Sequence, residues 1–178
     1  MKVMEDRIIR NLENRDAEGM LEWMHDSSIN CFFQFDAEHM NFDKVSAFIH
    51  NAEQEKKENR NYHWAVVNED DEYMGTISLK HVDSQSGTAE YAISMRKKAQ
   101  GGGYAKKATE QVLNIAFEEW KLNRVYLNVV ADNGRAIRFY EKCGFVYEGE
   151  FRSHICIKGK LKSLKWYAML KNEYEKNR

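Results

Sequence analysis

Three consecutive glycines directly before a strongly amphipathic helix constrain the fold of this sequence more than any other feature. Gly101, Gly102 and Gly103 separate a strand-like run at residues 88–95 from a helical pattern that begins at Tyr104. Apolar residues recur along that helix every three or four positions, which predicts one face packed on a sheet; they are Tyr104, Ala105, Ala108, Val112, Leu113, Ala116, Phe117 and Trp120. A strand, a glycine loop and an amphipathic helix in this order indicate an α/β fold.

The remaining hydrophobic pattern supplies the other elements of such a fold. Strands are predicted at residues 7–12, 62–68, 73–82, 88–95, 125–131, 145–151 and 164–170. Helices are predicted at 17–24, 42–60, 104–120 and 134–143, whereas residues 26–41 have no clear period. The resulting order βααβββαβαββ predicts helices flanking a mixed central sheet.

Composition favours one globular domain spanning residues 1–178. A hydrophobic share of 43% and a charged share of 31% are ordinary for a globular enzyme. The formal net charge of −1 gives no electrostatic reason to expect nucleic acid or a membrane surface as a partner. Residues 1–7 interrupt any apolar run, and no stretch reaches the roughly 18 apolar residues of a spanning helix, so we expect a cytoplasmic protein.

The three cysteines argue against a metal site or a disulfide framework. Cys31, Cys143 and Cys156 are odd in number and widely spaced, and no CxxC pair occurs. We therefore expect no metal. Cys143 is a formal candidate for a covalent acyl-cysteine route, but its place late in a helix favours a small buried residue.

The glycine loop has the properties of a phosphate site. Glycine lets the backbone approach a ligand closely, and a helix N-terminus presents unpaired N–H groups with partial positive charge. Two other phosphate loops are excluded, because GxGxxG would need glycine where Lys106 stands and GxxxxGK[ST] does not occur. Taken alone, the loop is equally consistent with a flexible turn before a structural helix.

Two motifs, in order and correctly spaced, resemble the GNAT superfamily of N-acetyltransferases. The run from Gln100 to Ala105 is similar to the family signature [QR]-x-x-G-x-[GA], and the run from Asn133 to Phe145 is similar to N-x-x-A-x-x-x-Y-x-x-x-G-F. Residues 148–152 resemble the continuation found in the ribosomal-protein acetyltransferase-like branch. One departure is Ser163, which stands where members of that branch often carry an Asp four residues after a glycine.

The resemblance implies a fold, a co-substrate and a set of binding residues. It implies a mostly antiparallel sheet in which a bulge parts strand 88–95 from strand 125–131 and opens a slot for pantetheine. It also implies acetyl-CoA as co-substrate, with its pyrophosphate on the glycine loop. The implied cofactor-binding residues are Met95, Gln100, Gly101, Gly102, Gly103, Tyr104, Ala105, Asn128, Asn133 and Ala136.

Two residues are candidates for the proton transfers of acetyl transfer. A lysine-like amine is almost fully protonated at pH 7, a deficit of roughly 4.6 kcal/mol, whereas an α-amine carries only roughly 1 kcal/mol. The resemblance gives Tyr140 the role of acid to the leaving thiolate, and Glu90 is the candidate base, acting through a water. The alternatives are a core aromatic for Tyr140, a solvated strand carboxylate for Glu90, and a simple helix cap for Asn133.

The acceptor is not defined by the motifs. In this superfamily the segment joining the first two helices helps to select the substrate, so His25, Asp26 and Phe33 are candidate substrate contacts, with Phe32 and Phe35 narrowing the entrance. We expect a small-molecule primary amine such as an amino-sugar nucleotide. The alternatives are a protein N-terminus, as in ribosomal-protein acetyltransferases, and a non-catalytic acyl-CoA-binding module. A homodimer is a further possibility.

Overall fold

The computed structural model describes residues 7–176. The expectation about a secretory signal therefore falls, apart from Arg7, outside the described residues. Seven strands are formed: β1 (Ile9–Asn11), β2 (Tyr62–Val67), β3 (Tyr73–Asp83), β4 (Thr88–Met95), β5 (Arg124–Val130), β6 (Val146–Ile157) and β7 (Lys160–Leu170). The α-helices are α1 (Ala17–His25), α2 (Ser27–Asn30), α3 (Phe42–Lys57), α4 (Tyr104–Asn114), α5 (Gly134–Lys142) and α6 (Lys171–Lys176).

All seven strands belong to one sheet with the order β1-β2-β3-β4-β5-β7-β6. Every neighbouring pair is antiparallel except β4 and β5, which run parallel. The predicted mixed, mostly antiparallel sheet with flanking helices is confirmed.

Helices cover the two faces of the sheet unequally. On one face, α4 packs over β2 and β3, and the main core extends from α4 across Val125 and Leu127 of β5 to α5. On the other face, α1 and α3 pack over β3 and β2 and bury a second cluster around Met20 and Val45. We call these the α4 face and the α1 face.

The parallel strands β4 and β5 pair only at their beginnings. The register joins Thr88 to Arg124, Ala89 to Val125 and Glu90 to Tyr126. Beyond that point β4 stays paired with β3 as far as Met95, and β5 stays paired with β7, so the two inner edges part. The resulting wedge between residues 91–95 and 127–130 is called the cleft, and Glu90 marks its closed end.

The cleft agrees with the splay expected from the family resemblance, but the expected bulge lies elsewhere. β4 pairs with β3 without interruption from Glu90 to Met95. The register shifts instead between Lys80 and Asp83, where two residues of β3 oppose one residue of β4. His81 lies in this bulge with a φ of 50°, a left-handed conformation that is uncommon for a residue with a side chain.

The structure corrects the sequence prediction at several ends. β6 continues to Ile157 and β7 begins at Lys160, so both strands are longer than the predicted 145–151 and 164–170. The additional residues form a hairpin whose exposed face has no hydrophobic period. The short helix α2 and the terminal α6 were missed. The helix predicted at 104–120 changes to a π-helical segment at Ile115–Glu119.

Candidate active site

The glycine loop meets the N-terminus of α4 in a conformation that requires glycine. Gly101 has a φ of 87° and Gly103 a φ of 80°, both in the left-handed region. A Cβ built on either residue meets no heavy atom within 4 Å in the described chain. The two glycines are therefore needed for backbone conformation rather than packing. No side chain caps α4 within the described residues, so its first N–H groups are available to an anion.

The α5 side of the cleft opens on a second helix N-terminus. Asn133 caps α5, because its Oδ1 accepts a hydrogen bond of 3.2 Å from the backbone N–H of Ala136. Ala136 packs against the main core. Arg135, the second residue of α5, donates to the Oε1 of Gln100 at the start of the glycine loop. This contact joins the two walls of the cleft at its open end and places a guanidinium beside the candidate pyrophosphate site.

Tyr140 lies on the α4 face, in the interior. Its side chain is 8% exposed, and its ring meets Tyr91 edge-on at 6.0 Å between centroids. Burial raises the pKa of its phenol to about 12. Tyr140 is therefore both a core aromatic and a hydroxyl that stays protonated at neutral pH.

Glu90 lies on the α1 face, at the closed end of the cleft. Its side chain is 15% exposed, and one carboxylate oxygen accepts a 3.0 Å bond from Lys80 Nζ. The other oxygen lies 3.0 Å from Nδ1 of His81. Tyr126 faces the same carboxylate from β5, and burial together with the Glu90 charge raises the pKa of that phenol. Glu90 is thus a held carboxylate and not the freely solvated strand residue of the alternative interpretation.

Tyr91 connects the two candidates. It follows Glu90 directly in β4, points to the opposite face and touches the Tyr140 ring. Its own hydroxyl is paired with Thr109 at 2.8 Å, which fixes it against α4. The closed end of the cleft is therefore flanked by a carboxylate on one face and a protonated phenol on the other.

The other predicted cofactor residues line the two walls of the cleft. Met95 ends β4 opposite Gly75, where a Cβ on the glycine would come within 2.5 Å of the Met95 sulfur. Asn128 lies on β5, half-buried and opposite Trp166. Tyr104 and Ala105 form the first turn of α4, and the Tyr104 hydroxyl reaches Glu69 at 3.4 Å.

The three predicted substrate contacts are each engaged in structural interactions. His25 Nε2 contacts the carbonyl of Met40 at 2.9 Å. Asp26 caps α2 and accepts hydrogen bonds from Ser28, which hold the pKa of its carboxyl below the usual range. Phe33 packs edge-on against Trp23 at 5.5 Å. The substrate role of these three residues stays a prediction. The aromatic residue of this segment that reaches β5 is Phe32, which packs with Val130 and Leu164.

A covalent role for Cys143 has no support from its surroundings. Burial raises the pKa of its thiol to about 11, so the thiolate nucleophile is scarce at neutral pH. Within residues 7–176, no group of three or more His, Cys, Asp or Glu side chains is arranged to hold a metal ion. Over the same residues, no helix has both the length and the apolar composition required to cross a bilayer.

Sequence reasoning missed three residues that the fold brings to the site. Lys80 and His81 reach Glu90 only through the β3–β4 register, and the left-handed bulge at His81 has no sequence signature. Trp166 lies beside Tyr126 on the α1 face, and its indole N–H is buried with no partner among the described residues. The alternation of side chains along β7 is the sequence signal that indicates which face Trp166 lies on.

Comparison with known proteins identifies the family to which this site belongs. Residues 7–146 match the acetyltransferase (GNAT) domain family. The chain belongs to the GNAT acetyltransferase family. It is an N-acetyltransferase, and acetyl-CoA is its acetyl donor. This membership argues against the non-catalytic binding module considered from the sequence.

Individual relatives of this GNAT protein differ in their stated acceptors. The spermidine N(1)-acetyltransferase of Vibrio cholerae is 25% identical over 166 residues, covering 93% of this chain and 94% of the relative. A putative ribosomal N-acetyltransferase of Bacillus subtilis is 32% identical over 106 residues, covering 60% of this chain and 58% of the relative. The crystal structure of the Vibrio cholerae spermidine enzyme with CoA and spermine has the same fold, with a TM-score of 0.82, 23% identity and coverage of 94% and 96%.

Proposed function

We propose that this GNAT enzyme transfers the acetyl group of acetyl-CoA directly to a primary amine of a small cationic acceptor of the polyamine type. The observation that carries the proposal is the placement of Glu90 and Tyr140 on opposite faces of the sheet at the closed end of the cleft. Acetyl transfer needs a proton acceptor on the side of the amine and a proton donor on the side of the thiol.

The α4 and α5 N-termini are the proposed binding site for the CoA diphosphate. Gly101 and Gly103 hold the loop so that the N–H groups of the first α4 turn face an anion. Arg135 supplies a guanidinium on the opposite wall. The pantetheine arm then lies along β4 in the cleft, which leads the thioester toward Glu90 and Tyr140.

The α1 face of the cleft is the proposed entrance for the acceptor. Among the described helices, α1 and α3 cover β3 and β2 on this face, whereas Tyr126, Asn128 and Trp166 beyond the cleft are only half-buried. Glu90 is the carboxylate that faces this opening, and a carboxylate attracts an ammonium group. The unpartnered indole N–H of Trp166 offers a further polar contact beside it.

The two proton transfers of the reaction give Glu90 and Tyr140 different roles. An aliphatic ammonium must lose a proton before its nitrogen attacks, at a cost of roughly 4.6 kcal/mol at pH 7. That proton is accepted at the closed end of the cleft, where the Glu90 carboxylate lies. Tyr140 is protonated and donates a hydrogen bond to the sulfur as the C–S bond breaks. Because the Cys143 thiol is held protonated, a single direct transfer fits better than an acyl-enzyme.

The alternatives differ in the acceptor. The amino-sugar nucleotide expected from the sequence has no counterpart in the named acceptors of these relatives, so we replace it by a polyamine-type amine. A protein α-amine remains the second candidate, because one relative is named as a putative ribosomal N-acetyltransferase. An α-amine needs little help with deprotonation, so it would make less use of Glu90.

The test is release of CoA, measured with a thiol reagent, from acetyl-CoA and a panel of acceptors. We expect spermidine to accelerate release well above background hydrolysis, with an amino-sugar nucleotide and Ala- or Ser-initiated peptides much slower. Faster turnover on the peptides would favour the protein acceptor and refute the proposal.

A pair of variants checks that the reaction uses the closed end of the cleft. Glu90→Gln should lower kcat/KM for spermidine by roughly 10²-fold, in the range of a lost acid–base group. Glu53→Gln removes an exposed carboxylate on α3 and should leave turnover unchanged. Equal activity of the two variants would show that Glu90 is not part of the site.

A further inference from the structure

The bulge in β3 places an imidazole against the Glu90 carboxylate, on the α1 face and next to the closed end of the cleft. His81 Nδ1 lies 3.0 Å from Glu90 Oε2. An ionised carboxylate only accepts hydrogen bonds, so the ring nitrogen that faces it carries the hydrogen and the other nitrogen, Nε2, is the free acceptor. The His81 side chain is 66% exposed, which opens Nε2 to water.

The backbone holds His81 in this position at a cost. A φ of 50° is strained for a residue with a side chain, and local strain of this kind is kept where the surrounding structure fixes it. Asn61 fixes it here, because its Oδ1 accepts a 2.8 Å bond from the His81 N–H. The carbonyl of Arg60 accepts the N–H of Val82 at 3.0 Å. Two anchors therefore turn the imidazole toward Glu90.

The other charged groups nearby make Glu90 a better partner for an imidazole than a final proton acceptor. Lys80 Nζ already holds the second carboxylate oxygen at 3.0 Å, so both oxygens of Glu90 are engaged. Tyr126 faces Glu90 from β5. His63, two strands away, is kept neutral, since burial lowers its pKa to about 4, and its Nε2 lies 3.7 Å from Glu55.

We propose that His81 is the group that accepts the proton of the acceptor ammonium, with Glu90 as the positioning carboxylate that orients the ring. This inference rests on the proposed function. The ammonium gives one proton, directly or through one water, to Nε2 of His81. The freed nitrogen pair forms the N–C bond, the C–S bond breaks with its electron pair on sulfur, and the thiolate takes the second amine proton. The exposed imidazolium then returns its proton to water.

Generic side-chain chemistry supports the assignment. Proton acceptors work best when their pKa lies near the working pH, and imidazole is the ordinary side chain that titrates between pH 5 and 8. A carboxylate hydrogen-bonded to Nδ1 stabilises the imidazolium that forms, as in other carboxylate–histidine pairs.

The experiment is the pH profile of kcat/KM for spermidine in the full-length enzyme, from pH 6 to 10. His81→Asn suits this test because asparagine tolerates the left-handed conformation and its amide donates to Glu90, but it does not titrate. The wild-type profile should level off well below about pH 10, because an internal group accepts the proton of the ammonium. The variant should be at least about tenfold slower at pH 7 and climb steadily toward pH 10, where the difference shrinks.

A control variant and a second acceptor separate proton transfer from structure. His39→Asn removes another exposed histidine paired with a carboxylate, Asp36, at 2.8 Å, and should keep the wild-type profile. Trifluoroethylamine is a weakly basic primary amine that is largely neutral at pH 7, so wild type and His81→Asn should acetylate it equally. A wild-type pH profile in His81→Asn, or an equal loss on both acceptors, would overturn the inference while leaving the proposed function intact. A wild type inactive on primary amines at every pH would refute both.

Discussion

Replacing Tyr140 by phenylalanine removes a single oxygen atom from the closed end of the cleft. The ring contacts with Tyr91 and Phe145 remain, at 6.0 and 6.2 Å between centroids. We expect the free energy of unfolding to change by less than about 0.5 kcal/mol.

The effect on turnover follows from the raised pKa of the phenol. With a pKa of about 12, Tyr140 is a weaker acid than a thiol near 8.5, and full proton transfer to a thiolate is uphill by roughly 5 kcal/mol. Its contribution is then a charge-assisted hydrogen bond to the sulfur, of about 1.5–3 kcal/mol. That range corresponds to a fall in kcat of roughly 10- to 150-fold.

The assay combines three measurements on the wild type and on Tyr140→Phe. CoA release under saturating amine gives kcat, calorimetric titration gives the Kd of acetyl-CoA, and thermal unfolding gives Tm. We expect a lower kcat with an unchanged Kd and Tm. Tyr62→Phe is the control, since it loses a 2.7 Å hydrogen bond from its phenol to Asn59 on the outer part of the sheet. Wild-type turnover in Tyr140→Phe would reduce Tyr140 to a core aromatic and refute this reasoning.

Two further predictions concern the glycine loop and the buried cysteine. Gly103→Ala forces a side chain into the left-handed region at the start of α4, so acetyl-CoA affinity should fall at least about tenfold by calorimetry. Tm should fall by only a few degrees, because the added Cβ meets no neighbouring atom within 4 Å among the described residues. Unchanged affinity would exclude this loop as the diphosphate site. Cys143 should react with iodoacetamide slowly at pH 8 and faster as pH rises toward 11, because its raised pKa keeps it protonated below that point. A burst of acetylated Cys143 without amine would instead indicate a covalent route.

Much of the fold was predictable because its signals are local. The alternation and turn residues around β4 placed that strand at residues 88–95, as observed. Asn133 and Gly144 bracket α5 as a cap and a left-handed end, with a φ of 90° at the glycine. The length of the β6–β7 hairpin was predicted too short, because an exposed edge strand buries too few side chains to show a hydrophobic period.

The sequence by itself determined the family, the acetyl donor loop and the position of Tyr140 on α5, because each depends on residue spacing within one loop or helix. The tertiary structure alone decided where the cleft closes, since that depends on how far two parallel strands stay paired. It also decided that Lys80 and His81 meet Glu90, through a strand register and a left-handed bulge. Such contacts join residues whose neighbours in sequence carry no record of the pairing, so only the folded sheet defines them.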